Sequence, residues 1–435
     1  MAAKINTAPP RGTRDVLPDE VELRDVATQR IVAVYRSYGF RRIETPALES
    51  LALLAGSDGG ENEKLIFKIL KRGEDLEAAL RAGSRDLADF GLRFDLTVPL
   101  ARYYAENHAQ LPDPLKAIQI GPVWRAERPQ KARFRQFTQC DIDVLGAVSP
   151  LIEIELILAT CEALRAAFGL PELTVRINDR RILSRIARHC GFAEGEESGF
   201  FITFDKLDKV GAEGVLAELR ETGREPRAIE RFERLLPALQ KGGVSLEALG
   251  SALGAGDEPA FAWLATISAG VAGALPSGAR VQFDPTLVRG MGYYTGTIFE
   301  VVMPGFSGSV AGGGRYDRMV GKLLGRDVPA CGFSIGFERL VAILGERGGA
   351  IGAGAPAGAQ GRRIALVVDD STDVGAALAA ARGLRAAGDL VSVELRRKNV
   401  GKQLDDLARH GFDAHATLDA TGTPVVKPLT RRERA

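Results

Sequence analysis

A chain of 435 residues, 45% hydrophobic and 26% charged, has room for about three domains and the mixture of a globular protein in water. No apolar run approaches the ~18 residues of a membrane span, the first ten residues hold no apolar leader, and four scattered cysteines without a CxxC pair beside only four histidines argue against a disulfide framework, a structural zinc site or a histidine-ligated metal. A reducing cytoplasm is the expected location, and a net charge of +1 leaves nucleic-acid binding to be decided by where the charges sit.

The first predicted element is a helix opened by Pro18-Asp19-Glu20. Leu23, Ala27, Ile31, Val34, Tyr35 and Tyr38 form its apolar face, and Gly39 is its stop. Short alternating segments at 40–45, 92–97, 117–127, 133–144, 174–178, 281–283 and 296–302 predict a mainly antiparallel sheet flanked by helices, an α+β fold. Residues 180 to about 275 carry helical periodicity instead and read as an insertion between two parts of the sheet. Seven glycines within 345–361 mark a linker, placed at 346–362, between a body at 1–345 and a tail at 363–435. In the tail, strands at 364–368, 390–395 and 414–418 alternate with helices at 374–387 and 402–410, which predicts a small, mostly parallel α/β sheet.

No GxxxxGK[ST] phosphate loop occurs, and Gly290-Met291-Gly292 lacks the spacing of a dinucleotide fingerprint. The informative segment is the strand at 133–144, where alternate residues share a face. Arg133, Arg135, Phe137, Gln139, Asp141 and Asp143 lie on one side; Phe134, Gln136, Thr138, Cys140, Ile142 and Val144 lie on the other. The strand at 92–97 repeats the logic, with Arg93, Asp95 and Thr97 opposite Leu92, Phe94 and Leu96. Five basic residues and one acid stand between Arg125 and Arg135, and another basic cluster follows Lys427. A sheet with one solvated face accounts for this pattern. So does a site that binds a nucleotide at its basic end and a cationic or N–H-donating ligand at its acidic end. Glycine-rich runs at 288–296 and 311–317 let backbone approach a ligand closely. Arg339 stands in the first turn of a helix, where a cation opposes the dipole unless it serves another purpose, a salt bridge included.

Taken in order, these segments resemble the histidyl-tRNA synthetase family of class II aminoacyl-tRNA synthetases along nearly the whole chain. Arg11-Gly12-Thr13-Arg14-Asp15 and the helix running on to Pro46 look like motif 1, a dimer element. Residues 121–146 look like motif 2 and 332–340 like motif 3. Residues 289–300 and 312–317 look like two signatures peculiar to the histidine enzyme, and the tail looks like its anticodon-binding domain. The HIGH and KMSKS signatures of class I synthetases are missing.

The resemblance implies a homodimer, joined through the motif 1 region, that uses ATP with Mg²⁺ and no protein-held metal. It would activate L-histidine as the adenylate, then pass it to the 3′ end of tRNA(His). Arg125, which would also hold the histidine carboxylate, and Arg289, also in the histidine-binding set, would be the catalytic cations at the α-phosphate, with Arg133 and Arg135 near the β and γ phosphates. Phe137 and Arg339 would sandwich adenine. Asp95, Thr97 and Gln139 would take the substrate α-amino group, and Asp143 and Tyr294, with Tyr293 in the same histidine-binding set, would grip the imidazole. Arg128 and Gln130 would sit at the tRNA acceptor end. Two features depart from the family pattern: Gly292 stands where an acid is usual, and the tail stops at Ala435, sooner than is usual. The alternative is a non-charging paralogue, such as a histidine-sensing regulatory subunit of ATP phosphoribosyltransferase. Such proteins lack the tail, whereas both arginines and most of a tail are present here.

Overall fold

The computed structural model describes residues 6–56, 61–129, 134–193, 195–240, 244–289, 292–306, 308–346, 361–369 and 371–429. They fall into two compact units, one within 1–352 and one within 353–435. Most of the linker expected at 346–362, and the basic residues Arg431, Arg432 and Arg434, lie outside the described residues.

The strands of the first unit are, in chain order, β1 (Arg41–Arg42), β2 (Leu48–Ser50), β3 (Lys68–Leu70), β4 (Ala88–Leu92), β5 (Leu115–Trp124), β6 (Gln136–Leu145), β7 (Leu173–Asp179), β8 (Ala279–Phe283), β9 (Thr297–Val302), β10 (Ser309–Arg315) and β11 (Ala330–Ile335). Eight of them form one sheet in the order β1-β5-β6-β11-β10-β9-β7-β8. Pairing is antiparallel throughout its centre and parallel only at its two edges. A smaller sheet has the order β2-β4-β3.

One face of the large sheet is a core. On β6, Cys140, Ile142 and Val144 are almost fully buried together with Ile31 and Tyr35 of the helix Pro18–Ser37 and Leu156 and Leu164 of the helix Pro150–Phe168. That second helix is locally well specified. Ser149 caps it by accepting from the Leu151 N–H, Pro150 occupies its first turn, and Gly169 ends it in the left-handed conformation at φ 61°. Burial of this apolar surface is the main stabilising term, at about 25 cal/mol per Å².

Two predicted strands differ. The segment 40–45 contributes only the two residues of β1. The alternation at 92–97 is not a strand: β4 ends at Leu92, and Thr97 already begins the helix Thr97–Asn107. Asp95 accepts from the Val98 N–H at 3.1 Å, so its carboxylate serves a helix start, the competing use that short acidic side chains offer the backbone. The strand expected over 133–144 begins at Gln136, and Arg133 lies outside the described residues.

Between β7 and β8 the chain is helical, from Arg180–Cys190 to Pro259–Ala274. Phe200, Phe204 and Phe232 form an edge-to-face aromatic cluster within it, the Phe200 and Phe232 centroids 5.0 Å apart. In the second unit, β12 (Arg363–Val368), β13 (Leu390–Leu395), β14 (Ala414–Leu418) and β15 (Pro424–Pro428) form a sheet in the order β13-β12-β14-β15. β12 pairs parallel with both neighbours, and β15 adds an antiparallel edge absent from the sequence reading.

Candidate active site

Strand register builds the site. Directly opposed residues on neighbouring strands share a face. One row therefore crosses the large sheet through Gln119, Asp141, Ser334, Gly312, Glu300, Arg176 and Gln282. A second row, two residues along β6, runs through Ala117, Asp143, Gly332, Gly314, Ile298 and Asn178. Both rows lie opposite the face of Cys140 and Ile142. Polar groups thus sit on the strands around β10 and β11, while those two strands contribute mainly glycine.

The glycines are needed because long side chains lie across them. A methyl on Gly312 would meet the Arg289 guanidinium carbon at 2.7 Å. One on Gly332 would meet Asp143 Cγ at 2.8 Å, and one on Gly314 would meet Tyr294 Cδ1 at 2.9 Å. The run 311–317, where backbone is expected to approach a ligand closely, lies largely in the central strand β10, and the side chains its glycines lack make room for an arginine and a tyrosine.

Arg289 is fixed from one side. Its Nη1 lies 3.3 Å from Glu300 Oε2, and Glu300 Oε1 lies 3.4 Å from Arg176 Nη1. Arg176 in turn binds Asp284 and stands 3.6 Å from Asp208 of the helical stretch. Burial pulls the Arg289 pKa down, yet Tyr294, Glu300 and Tyr293 more than compensate and raise it. The guanidinium is therefore a permanent cation, and its Nε has no hydrogen-bond partner among the described residues.

Acids occupy the other end. Asp143, 3% exposed, accepts from the Tyr316 hydroxyl at 2.6 Å. Burial pushes its carboxyl up to about 7, against the lowering effect of that hydroxyl. Asp141, equally buried, is raised well above the usual carboxylate range by burial and by repulsion from Asp143. The Tyr293 and Tyr294 rings lie 4.8 Å apart. Tyr293 interacts with Thr97, and Tyr294 with Arg289. Asp95, Thr97, Gln139, Asp143, Tyr293, Tyr294 and Arg289 are thereby tied into one region.

The basic end is organised around the start of β6. Arg125 Nε donates to the Phe94 carbonyl at 3.0 Å, and its guanidinium stands 5.1 Å from the Phe137 ring centroid. Arg339, in the first turn of the helix Phe337–Glu346, donates to the Ser309 carbonyl at 2.9 Å. Its neighbour Glu338 accepts from the Thr138 N–H at 3.0 Å and holds Arg24 of the motif 1 helix at 2.7 Å. Arg135 spends its Nε on the Glu127 carbonyl at 3.0 Å, while its own N–H binds the Gly12 carbonyl at 2.7 Å. Arg128 is exposed; Arg133 and Gln130 lie outside the described residues.

An arrangement of two arginines, an accessible aromatic ring and buried acids along one strand suits a ligand with anionic and cationic ends. Sequence reasoning assigned nothing to Glu300, Arg176, Tyr316 or Ser334. Their role depends on strand register, and no spacing within one strand reports it.

A histidyl-tRNA synthetase family model matches residues 12–340. A histidine--tRNA ligase of Leifsonia xyli subsp. xyli is 49% identical over 99% of this chain and 100% of its own length. One from Aeropyrum pernix is 37% identical over 95% of this chain and 90% of its own. The crystal structure of histidyl-tRNA synthetase from Nostoc sp. PCC 7120 superposes with a TM-score of 0.76 at 28% identity, covering 98% of this chain and 97% of that one.

Proposed function

The chain belongs to the histidyl-tRNA synthetase family, and we propose that the glycine-floored face of its large sheet is where histidine is joined to ATP and then to tRNA. Position along β6 orders the substrates. ATP lies toward Phe137, Arg125 and Arg339, with Phe137 and Arg339 on the two sides of adenine. The α-amino group of histidine lies at Asp95, Thr97 and Gln139. The imidazole lies deepest, at Asp143 with Tyr293 and Tyr294. An amino acid without a ring N–H leaves that buried acceptor unpaired, which is how such sites discriminate without editing.

In the first step a histidine carboxylate oxygen attacks the α-phosphorus, and the bond to the bridging oxygen breaks in line to release pyrophosphate. Transfers of this kind need positioning and charge neutralisation more than a protein nucleophile. Arg125 and Arg289 supply both at the α-phosphate. Arg133 and Arg135 serve the β and γ phosphates, Arg135 by exchanging its backbone-carbonyl partners for phosphate oxygen. Glu127, two residues from Arg125, would be a carboxylate to hold Mg²⁺, which would supply further charge neutralisation and needs only one or two protein carboxylates. In the second step a hydroxyl of the terminal tRNA ribose attacks the acyl carbonyl and AMP leaves. Arg128 and Gln130 guide that acceptor end, and the second unit reads the anticodon.

The observation that carries this reading is an arginine lying over Gly312 and a buried acid lying over Gly332 on adjacent strands of one sheet face. The test is ATP–pyrophosphate exchange without tRNA across a panel of amino acids. Histidine alone should drive exchange, and Arg289→Ala should abolish it while leaving histidine binding largely intact. A folded protein silent with every amino acid overturns the adenylation reading and returns the non-charging alternative. That alternative has less support: the Bacillus halodurans structure titled an ATP phosphoribosyltransferase regulatory subunit/histidyl-tRNA synthetase shares only 22% identity and speaks to the fold alone.

Two further parts of the reading concern assembly and location. Homodimerisation through the motif 1 region is favoured by large apolar side chains left exposed there and on the adjoining small sheet, Leu17, Leu48 and Phe90. Sedimentation equilibrium tests it. A cytoplasmic location is favoured by four buried, unpaired cysteines, and fractionation tests that.

A further inference from the structure

Asp141 is a third buried acid on the glycine-floored face, and none of the roles above uses it. It occupies the middle of β6, between Gln139, placed at the α-amino group, and Asp143, placed at the ring. Alternate residues on a strand are roughly 7 Å apart, so its carboxylate lies partway along a bound amino acid rather than beyond either end. Its two oxygens are unequal. Oδ2 accepts from the Gln139 amide at 3.2 Å. Oδ1 is inaccessible to solvent and has no hydrogen-bond partner of good geometry among the described residues, while the Ser334 hydroxyl interacts with the carboxyl group and favours its charged form. The side-chain carbonyl oxygen of Gln139 is likewise buried and without a hydrogen-bond partner among the described residues.

Native proteins rarely leave such acceptors unmade, because a buried acceptor without a donor forfeits its hydration for nothing. Two of them on alternate residues of one strand, with Asp95 and Asp143 as further acids, call for a compact cation with several N–H groups. Among the described residues the arginines of this face are engaged elsewhere: Arg289 is drawn toward Glu300 in the same cross-sheet row, and Arg125 is tied to the Phe94 carbonyl. The α-ammonium of histidine is such a group, with three donors.

We propose that Asp141 is a histidine-binding residue, its Oδ1 and the Gln139 carbonyl oxygen each accepting one N–H of the substrate's α-ammonium. The assignment rests on the reading of the cleft given above. It makes Asp141 a selector for the charged amino end, as Asp143 is for the ring.

Calorimetric binding to the full chain separates the two ends. The probes are L-histidine, histidinol, which keeps the ammonium but lacks the carboxylate, and imidazolepropionate, which keeps the ring and carboxylate but lacks the ammonium. Asp141→Asn keeps the shape and removes the charge. It should weaken histidine and histidinol by about tenfold to a hundredfold, the range of hydrogen bonds to charged groups, and leave imidazolepropionate unchanged. Asp141→Ala should give the same pattern if the asparagine variant folds poorly. Equal weakening of all three probes makes Asp141 a structural residue and overturns the proposal, as does unchanged histidinol binding. A wild-type chain that binds histidine yet shows no pyrophosphate exchange overturns the adenylation reading while this pattern still decides Asp141. One that binds no histidine overturns both.

Discussion

Arg289 and Glu300 meet across the cleft face with Nη1 3.3 Å from Oε2, and the same carboxylate reaches back to Arg176 at 3.4 Å. Glu300 is thus shared between a cation that lies over the glycine floor and one that faces the helical stretch. Its partner across the strand pair is Gly312, over which the Arg289 guanidinium lies. Glu300 acts through Arg289, as a positioning residue.

Glu300→Gln keeps the shape and weakens the ion pair. The exchange rate at saturating substrate should fall about tenfold or more, the loss expected for a charge-assisted hydrogen bond, while the KM for histidine moves less than about threefold. Combined with Arg289→Lys, the second change should cost far less than it does alone, because contacting residues are not additive. Fully multiplicative losses would show that Glu300 acts elsewhere.

The floor glycines separate the two ends of the site. Gly312→Ala should abolish adenylation, a loss of a hundredfold or more from a small displacement of Arg289, while histidine still binds. Gly332→Ala should do the reverse, driving Asp143 out of place and raising the KM for histidine. Parallel steady-state kinetics on both variants read the split. Equal effects on both parameters would mean that the strand itself has been deformed.

These residues mark the limit of what the sequence discloses. Arg125, Phe137, Gln139 and Asp143 are legible because they share a strand or its extension, and period-two alternation states which residues face together. The helix Pro18–Ser37 and the core face of β6 follow from the same patterning. Glu300 is different: it stands in an ordinary apolar strand, Thr297–Val302, and becomes part of the site only because register sets it opposite Gly312. Asp95 shows the opposite failure. Its alternating surroundings imitate a strand, but its carboxylate caps a helix start. Local pattern gives faces; it does not give the pairing between distant strands.

A purely structural pair makes a useful contrast. Glu153, fully buried in the helix Pro150–Phe168, accepts from Arg315 Nε at 2.8 Å and Nη2 at 2.9 Å, and from the Trp263 indole at 3.2 Å. It joins that helix to β10 and to the helix Pro259–Ala274. Glu153→Ala strands a buried guanidinium and should cost about 3–5 kcal/mol by denaturant unfolding. A cost below about 1 kcal/mol would show that Arg315 finds other partners, Asp317 being nearest at 3.1 Å.

Tyr316 governs the charge state of Asp143. Its hydroxyl favours the carboxylate, and burial opposes it. Tyr316→Phe removes the donor, so Asp143 should titrate higher than in the wild type. The acid limb of kcat/KM for histidine should move to higher pH, with the plateau at high pH changed less. The substrate's imidazole titrates in the same region but identically for both proteins, so the difference between profiles isolates Asp143. Superimposable profiles would mean that the hydroxyl does not stabilise the charge.

The same burial carries a stability cost whose sign is fixed. The carboxyl of Asp143 lies near 4 in an unfolded chain and is pushed up to about 7 in the fold. Its contribution is fully present below about pH 4 and is lost as pH rises through about 7, because the unfolded state releases its proton first. Asp95 repels the charged form, while Tyr316 offers it a hydrogen bond. Asp143→Asn removes the ionisation and keeps an oxygen for the Tyr316 hydroxyl. It also relieves Asp141 of a like charge, which acts in the same direction. The ligand-free variant should therefore unfold at a higher temperature than the wild type at pH 8. That advantage should shrink steadily toward pH 4, and the variant should lose its selectivity for histidine. Calorimetric scans at several pH values measure the gap. A difference independent of pH would mean that Asp143 does not titrate in this range, and that its carboxylate is stabilised by contacts other than the tyrosine.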